Sequence, residues 1–122
     1  MRVSQINHCP FCVDLNSATL LRCGVSEAKL LALEDWRGSN LFSARERIAL
    51  DYVEAMTRAD VEVDDALRAR VSEHFDDDAT IELTALIAFQ NLSSKFNASL
   101  AVPPQGFCRL SPAGARVERT PT

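Results

Sequence analysis

The sequence predicts an all-α fold, on three observations. Apolar residues recur at steps of three and four, and no segment alternates with a period of two. Helix-capping residues stand just ahead of the apolar runs, at Ser26, Ser43, Asp64 and Asp76. Proline and glycine fall between the runs, where they end helices without interrupting them.

The elements follow in order. Pro10 suits a first helical position, because its missing N–H would be unpaired there anyway. Residues 11–23 then read as helix, with Phe11, Leu15, Ala18 and Leu21 or Arg22 near helical spacing and Gly24 placed to end it. Ser26 caps a second helix through Leu30, Leu31, Leu33 and Trp36, which residues 37–40 break. Ser43-Ala44-Arg45-Glu46 is a capping box, and the helix after it groups Ile48, Tyr52, Val53 and Met56. Asp64 caps a fourth helix with Leu67, Val71 and Phe75 at steps of four. Asp76, Asp77 and Asp78 favour the start of the last and longest helix, residues 79–101. Ile81, Ala85, Ala88, Phe89, Leu92, Phe96 and Leu100 form its stripe, and Pro103-Pro104 stops it. Residues 1–104 thus make one helical domain, and residues 105–122 a polar tail without structure of its own unless Phe107 and Leu110 anchor it on a neighbour.

With 122 residues, one domain with a modest core is expected, and such helices often finish burying their apolar faces against another subunit. The net charge of -4 argues against nucleic acid or an anionic membrane as the main partner. No apolar run reaches membrane-spanning length and no signal-peptide pattern opens the chain, so the expected location is the cytoplasm. The four cysteines, Cys9, Cys12, Cys23 and Cys108, are too few and scattered for a secreted disulfide scaffold.

The chemistry lies in Asn7-His8-Cys9-Pro10-Phe11-Cys12. Two cysteines three residues apart across a first helical turn can close a disulfide with little backbone movement. The helix N-terminus stabilises a thiolate, the reactive form. Zinc wants four ligands, usually in two close pairs, and His8, His74, Cys23 and Cys108 supply no second pair. Burial as small hydrophobes is the bland alternative for the two thiols. A thioredoxin setting needs a strand before the motif, which an all-helical chain does not offer. Cys23 is expected to pack near a helix end, Cys108 to lie in a mobile tail, His74 to complement a helix C-terminus, and Trp36 and Tyr52 to serve core or interface. Ser93-Ser94-Lys95-Phe96-Asn97 puts polar groups amid the apolar stripe, at either a pocket or an interface.

Residues 3–17 around this motif resemble the active-site helix of the carboxymuconolactone decarboxylase / alkylhydroperoxidase-D-like family. Residues 24–33, Trp36, residues 42–50 and the last helix with Val102-Pro103-Pro104 are similar to it too. The resemblance implies a small alkylhydroperoxidase-D-like helical bundle, with the CxxC at a helix start, completed by oligomerisation. The family's redox members carry Cys-x-x-Cys-x-x-x-His and an upstream glutamate. By resemblance, Cys12 is the attacking thiol and Cys9 its resolving partner. The histidine position is Asn16 here, and an amide takes no proton at neutral pH. Eight residues precede Cys9, which leaves no room for the glutamate and suggests a shortened or minimal start. His8 is the nearest replacement base, which would make Cys9 the nucleophile, although a loop role is the plainer reading of this residue. Glu54 or Glu82 would have to approach from another helix or subunit.

Three functions follow from this reading. The first is a thiol-dependent antioxidant protein that acts on peroxides and is restored by an external dithiol. The second is a decarboxylase or lyase on a small carbonyl acid, anchored by Arg22, Arg37, Arg45 or Arg47. The third is a redox sensor without enzyme activity. All three expect a homo-oligomer, by resemblance a trimer or hexamer. No organic cofactor and no metal is indicated, since no Gly-rich phosphate loop and no second ligand pair is present.

Overall fold

The computed structural model describes residues 1–109, and all regular structure in them is helical. The order is α1 (Arg2–Ile6), α2 (Pro10–Arg22), α3 (Glu27–Ala32), a 3-10 segment (Leu33–Gly38), α4 (Ala44–Thr57), α5 (Asp65–His74) and α6 (Asp77–Ser99). Only α1 is absent from the sequence reading, because five residues are too few to show a period. The helix expected to run through Trp36 instead gives way at Ala32, and Asp35 leaves helical geometry altogether (φ -121°, ψ 49°). That kink turns Trp36 inward, where it is buried. The capping box of Ser43 and Glu46 is formed. Asp64 and Asp76 each cap their helix through the side chain. Among the described residues no helix is long and apolar enough to cross a membrane.

Two apolar clusters hold the bundle. Val3, Tyr52, Ala55, Leu67, Val71 and Ile87 join α1, α4, α5 and α6. Leu33, Trp36 and Phe42 form the second beneath the 3-10 segment. Between the clusters, the Glu54 carboxylate accepts from the Arg2 guanidinium at 3.1 Å, the Trp36 indole at 3.2 Å and Arg37 at 3.1 Å. Burial works against its charge, but these hydrogen bonds outweigh that and hold the carboxyl below its ordinary pKa. Through Arg2 this hub pins α1, on which the functional site rests.

The last helix packs inside out. Ile81, Phe89, Leu92, Phe96 and Leu100, most of the stripe that marks it as a helix, are 61–67% exposed, and Leu86 beside them is 57% exposed. Its inward side carries Ile87 and the buried Ser94, together with Gln90 and Asn91, which bond to α1, α2 and α4. The sequence reading sends at least part of this stripe to another subunit. Among the described residues these side chains stay largely exposed.

The segment after α6 corrects the expectation of a loose tail. Asp14 on α2 is buried, and its carboxylate accepts backbone N–H groups from Gln105 at 2.9 Å, Phe107 at 3.0 Å and Cys108 at 2.8 Å. Phe107 then meets Phe11 edge to face, with centroids 6.4 Å apart. Cys108, expected in a mobile tail, is 2% exposed, because the clasp draws its backbone onto α2. Cys23, expected to pack, is exposed at the end of α2. Leu110 and the rest of the tail lie outside the described residues. Three charge-assisted bonds converge on one side chain, so Asp14→Ala should lower stability by about 3 kcal/mol. Asp14→Asn should cost less, since it keeps one acceptor oxygen. Denaturant unfolding of the two variants measures this, and equal, negligible losses would refute the clasp.

Candidate functional site

The site is built on a corner of a single residue. Asn7 ends α1, His8 takes the left-handed conformation (φ 52°), and Cys9 already caps α2. The His8 N–H reaches the Gln5 carbonyl at 3.2 Å and the Cys9 N–H reaches that of Ser4 at 3.1 Å. This is the Schellman pattern with histidine where glycine is usual. His8 is among the non-glycine residues that tolerate such a backbone better than most. Its ring is turned to solvent, away from the polar contacts that meet the two sulfurs. The same corner delivers both cysteines to a helix N-terminus.

Cys9 occupies the N-cap, and its sulfur accepts the Cys12 N–H at 3.2 Å. The two sulfurs lie at disulfide distance, with Cα atoms 5.3 Å apart. Both residues are buried, Cys9 at 1% and Cys12 at 3% exposure. Cys12 faces α6, where its sulfur lies 3.9 Å from the Asn97 amide nitrogen and 4.0 Å from the Ser93 hydroxyl.

Asn16 stands one turn after Cys12, yet its amide N–H groups are drawn elsewhere, to Ser4 at 3.1 Å and Gln90 at 3.4 Å. Asn7 donates to Asn91 at 2.9 Å and to Ser94 at 2.8 Å, and Asn91 in turn reaches Thr57 at 3.1 Å. The side chains that meet the Cys12 sulfur from α6 are thus one amide and one hydroxyl, above a network of further amides and hydroxyls between α1, α2, α4 and α6. Neither carboxylate considered as a substitute base joins them. Glu54 is held by Arg2, Trp36 and Arg37, and Glu82 is exposed on α6.

Sequence reasoning missed Ser93 and Asn97 as neighbours of the dithiol. The available signal was Ser93 and Asn97, one turn apart at the edge of an otherwise apolar stripe.

Three of the four arginines proposed to anchor a carboxylate have other work. Arg37 pairs with Asp51 and Glu54, Arg45 lies over the Phe75 ring, and Arg47 bonds the carbonyls of Trp36, Arg37 and Ser39. Arg22 lines an open groove of about 510 Å³ with Leu15, Ala18, Leu21, Glu27 and the 107–109 segment. Among the described residues, no three His, Cys, Asp or Glu side chains gather as a metal site would require.

Comparison with known proteins places this geometry. The Carboxymuconolactone decarboxylase family profile matches residues 1–55, which include the whole dithiol corner. The chain is 50% identical to the uncharacterised protein YnjA of Escherichia coli (strain K12) over 109 residues, 89% of its own length. It is 33% identical to the uncharacterised protein YdfG of Bacillus subtilis (strain 168) over 88 residues, 71% of its length. The chain spans 60% of the length of each of these curated relatives. A crystal structure of an Agrobacterium tumefaciens protein of unknown function, described as an AhpD-type candidate for antioxidant defence, superimposes with a TM-score of 0.82 at 28% identity. That match covers 84% of this chain and 71% of the other.

Proposed function

We propose, from the premise that this chain belongs to the carboxymuconolactone decarboxylase/AhpD-like family, that it is a thiol-dependent antioxidant enzyme which reduces hydroperoxides through Cys9 and Cys12. The observation that carries this reading is the pairing of the two sulfurs at the N-terminus of α2, with polar donors facing Cys12 from α6.

The chemistry balances as follows. The Cys12 thiolate attacks the terminal peroxide oxygen, the O–O bond breaks, and the alkoxide leaves and takes a proton as alcohol. Cys12 is now a sulfenic acid. The Cys9 thiolate, stabilised by the Cys12 N–H, attacks the Cys12 sulfur and expels hydroxide, which becomes water. An external dithiol then reduces the disulfide by exchange and is itself oxidised. The test is hydroperoxide consumption driven by excess dithiol. A wild-type protein that consumes none, while its disulfide still forms and opens reversibly, would shift the reading to redox sensing.

Among the described residues the side chains that meet Cys12 from other elements are Ser93 and Asn97, neither of them a base, so catalysis should follow thiol ionisation. The thiolate is the reactive form, so the rate constant for peroxide should be low in acid. It should rise about tenfold per pH unit until the thiol is ionised, and then level off. His8→Ala should leave this profile within about twofold. A second, acid-side limb in the profile that disappears in His8→Ala would make His8 the base after all.

The exposed α6 stripe supports a homo-oligomer as the working form. Its large apolar side chains, Leu86 included, present on the order of 700 Å², close to one partner's share of a standard interface. By family resemblance the assembly is a trimer or hexamer. No described feature favours the carbonyl-acid reaction over the dithiol reading. Its remaining anchor, Arg22, lines the groove together with Cys108 instead of facing Cys12 with Ser93 and Asn97.

A further inference from the structure

The geometry points to Asn97 on α6 as the side chain that, beside the helix N-terminus, stabilises the Cys12 thiolate. This rests on the thiol-based reading above.

Asn97 is built into its position. Its amide nitrogen lies 2.8 Å from the Ser93 carbonyl, one turn earlier on the same helix, 3.4 Å from the Ser93 hydroxyl and 3.9 Å from the Cys12 sulfur, so one N–H is held by the carbonyl and the other faces the hydroxyl and the sulfur together. Its own carbonyl accepts the Val102 N–H at 3.0 Å, in a Schellman turn that forces Ala101 to φ 54°. A non-glycine residue in that conformation is uncommon and strained. The end of α6 is thus fixed around Asn97, and the amide presents an N–H to the sulfur without needing to reorganise when charge appears there. Asn16, at the position a relay residue would occupy, has its amide engaged by Ser4 and Gln90.

The charged groups on the elements packed against α2 do not compete for this role. On α1, Arg2 is held by Glu54. On α3, Lys29 pairs with Glu46, and Glu27 is exposed beside the groove. On α6, Lys95 is exposed two residues from Ser93, hence on the other side of the helix, and Glu82 lies more than three turns away. On α2 itself, Asp14 holds the 105–108 backbone, while His8 before it and Arg22 at its end are exposed. The Met1 ammonium is buried at the start of α1, with the Met1 side chain against Ser17, not Cys12. Among the described residues, the side chains that meet the Cys12 sulfur from α6 are the neutral donors Asn97 and Ser93.

The test follows alkylation of Cys12 by iodoacetamide against pH in the full, reduced chain, with the modified peptide quantified by mass spectrometry. A hydrogen bond to an anion is worth roughly one pKa unit here, so Asn97→Ala should raise the alkylation midpoint by about 1. Asn97→Asp, which puts a carboxylate against the sulfur, should raise it further, and Asn97→Gln should recover part of the loss. Circular dichroism confirms that each variant is folded. A midpoint unchanged in folded Asn97→Ala, or lowered in Asn97→Asp, overturns the proposal. No peroxide enters this assay. Failure of the peroxidase reading would therefore appear separately, as a wild type inert toward hydroperoxide whose Cys12 midpoint still moves with residue 97.

Discussion

Cys12→Ser is expected to reduce dithiol-driven hydroperoxide consumption to the uncatalysed rate. A serine hydroxyl stays protonated across the working pH range and cannot pass through a sulfenic acid, so neither half of the cycle can run. The fold should survive, because serine matches cysteine in size and Ser93 and Asn97 offer it hydrogen bonds at that position. Cys9→Ser should behave differently. A serine side chain caps a helix well, so α2 keeps its start. Cys12 then reacts once with peroxide and stops as a sulfenic acid, which dimedone traps. The contrast between no reaction and a single turnover assigns the roles. A burst in Cys12→Ser and none in Cys9→Ser would reverse them and make the N-cap sulfur the nucleophile.

The second large effect is expected at the surface of α6. Phe89→Glu combined with Phe96→Glu places a charge within one turn of both Leu92 and Leu100, within the stripe that is 61–67% exposed. Neither ring contributes to the two described core clusters, so the monomer fold should be retained. Association, by contrast, would require four or more carboxylates to be desolvated in each pair of facing helices, and burying unpaired charge costs several kcal/mol each. Sedimentation at micromolar concentration should therefore show an oligomer for the native chain and a monomer for the double variant. A native chain that sediments as a monomer would remove the second copy as the occupant of this face.

Much of the fold is legible in the sequence because local signals and apolar periodicity agree. The Ser43 box, the Asp64 and Asp76 caps and Gly24 all end or begin helices where expected. What periodicity does not reveal is which way a stripe faces. Ile81, Phe89 and Leu92 define α6 as a helix yet point outward, because the groups that meet α1 and α2 are polar and pair with Asn7 and Asn16. The dithiol was readable for the same local reason as the caps, since its chemistry depends on spacing and a helix start. Asn97 was not, because it is 85 residues from Cys12 and only the α2–α6 packing brings them together. Asp14 and Cys108 were hidden likewise, since a carboxylate that binds backbone N–H groups leaves no sequence signature at the receiving end.

The Asp14 clasp also bears on how the chain comes apart. It joins residues 91 to 94 positions distant, so it closes only when nearly all the intervening helices are in place. Contacts of such separation form late, after the local helical pairs that set the folding rate. Interactions absent from the folding transition state leave the rate of folding alone and slow unfolding instead. The clasp is thus expected to act as a kinetic brake: Asp14→Ala should speed unfolding and leave the refolding rate nearly unchanged, which stopped-flow measurements in denaturant would check.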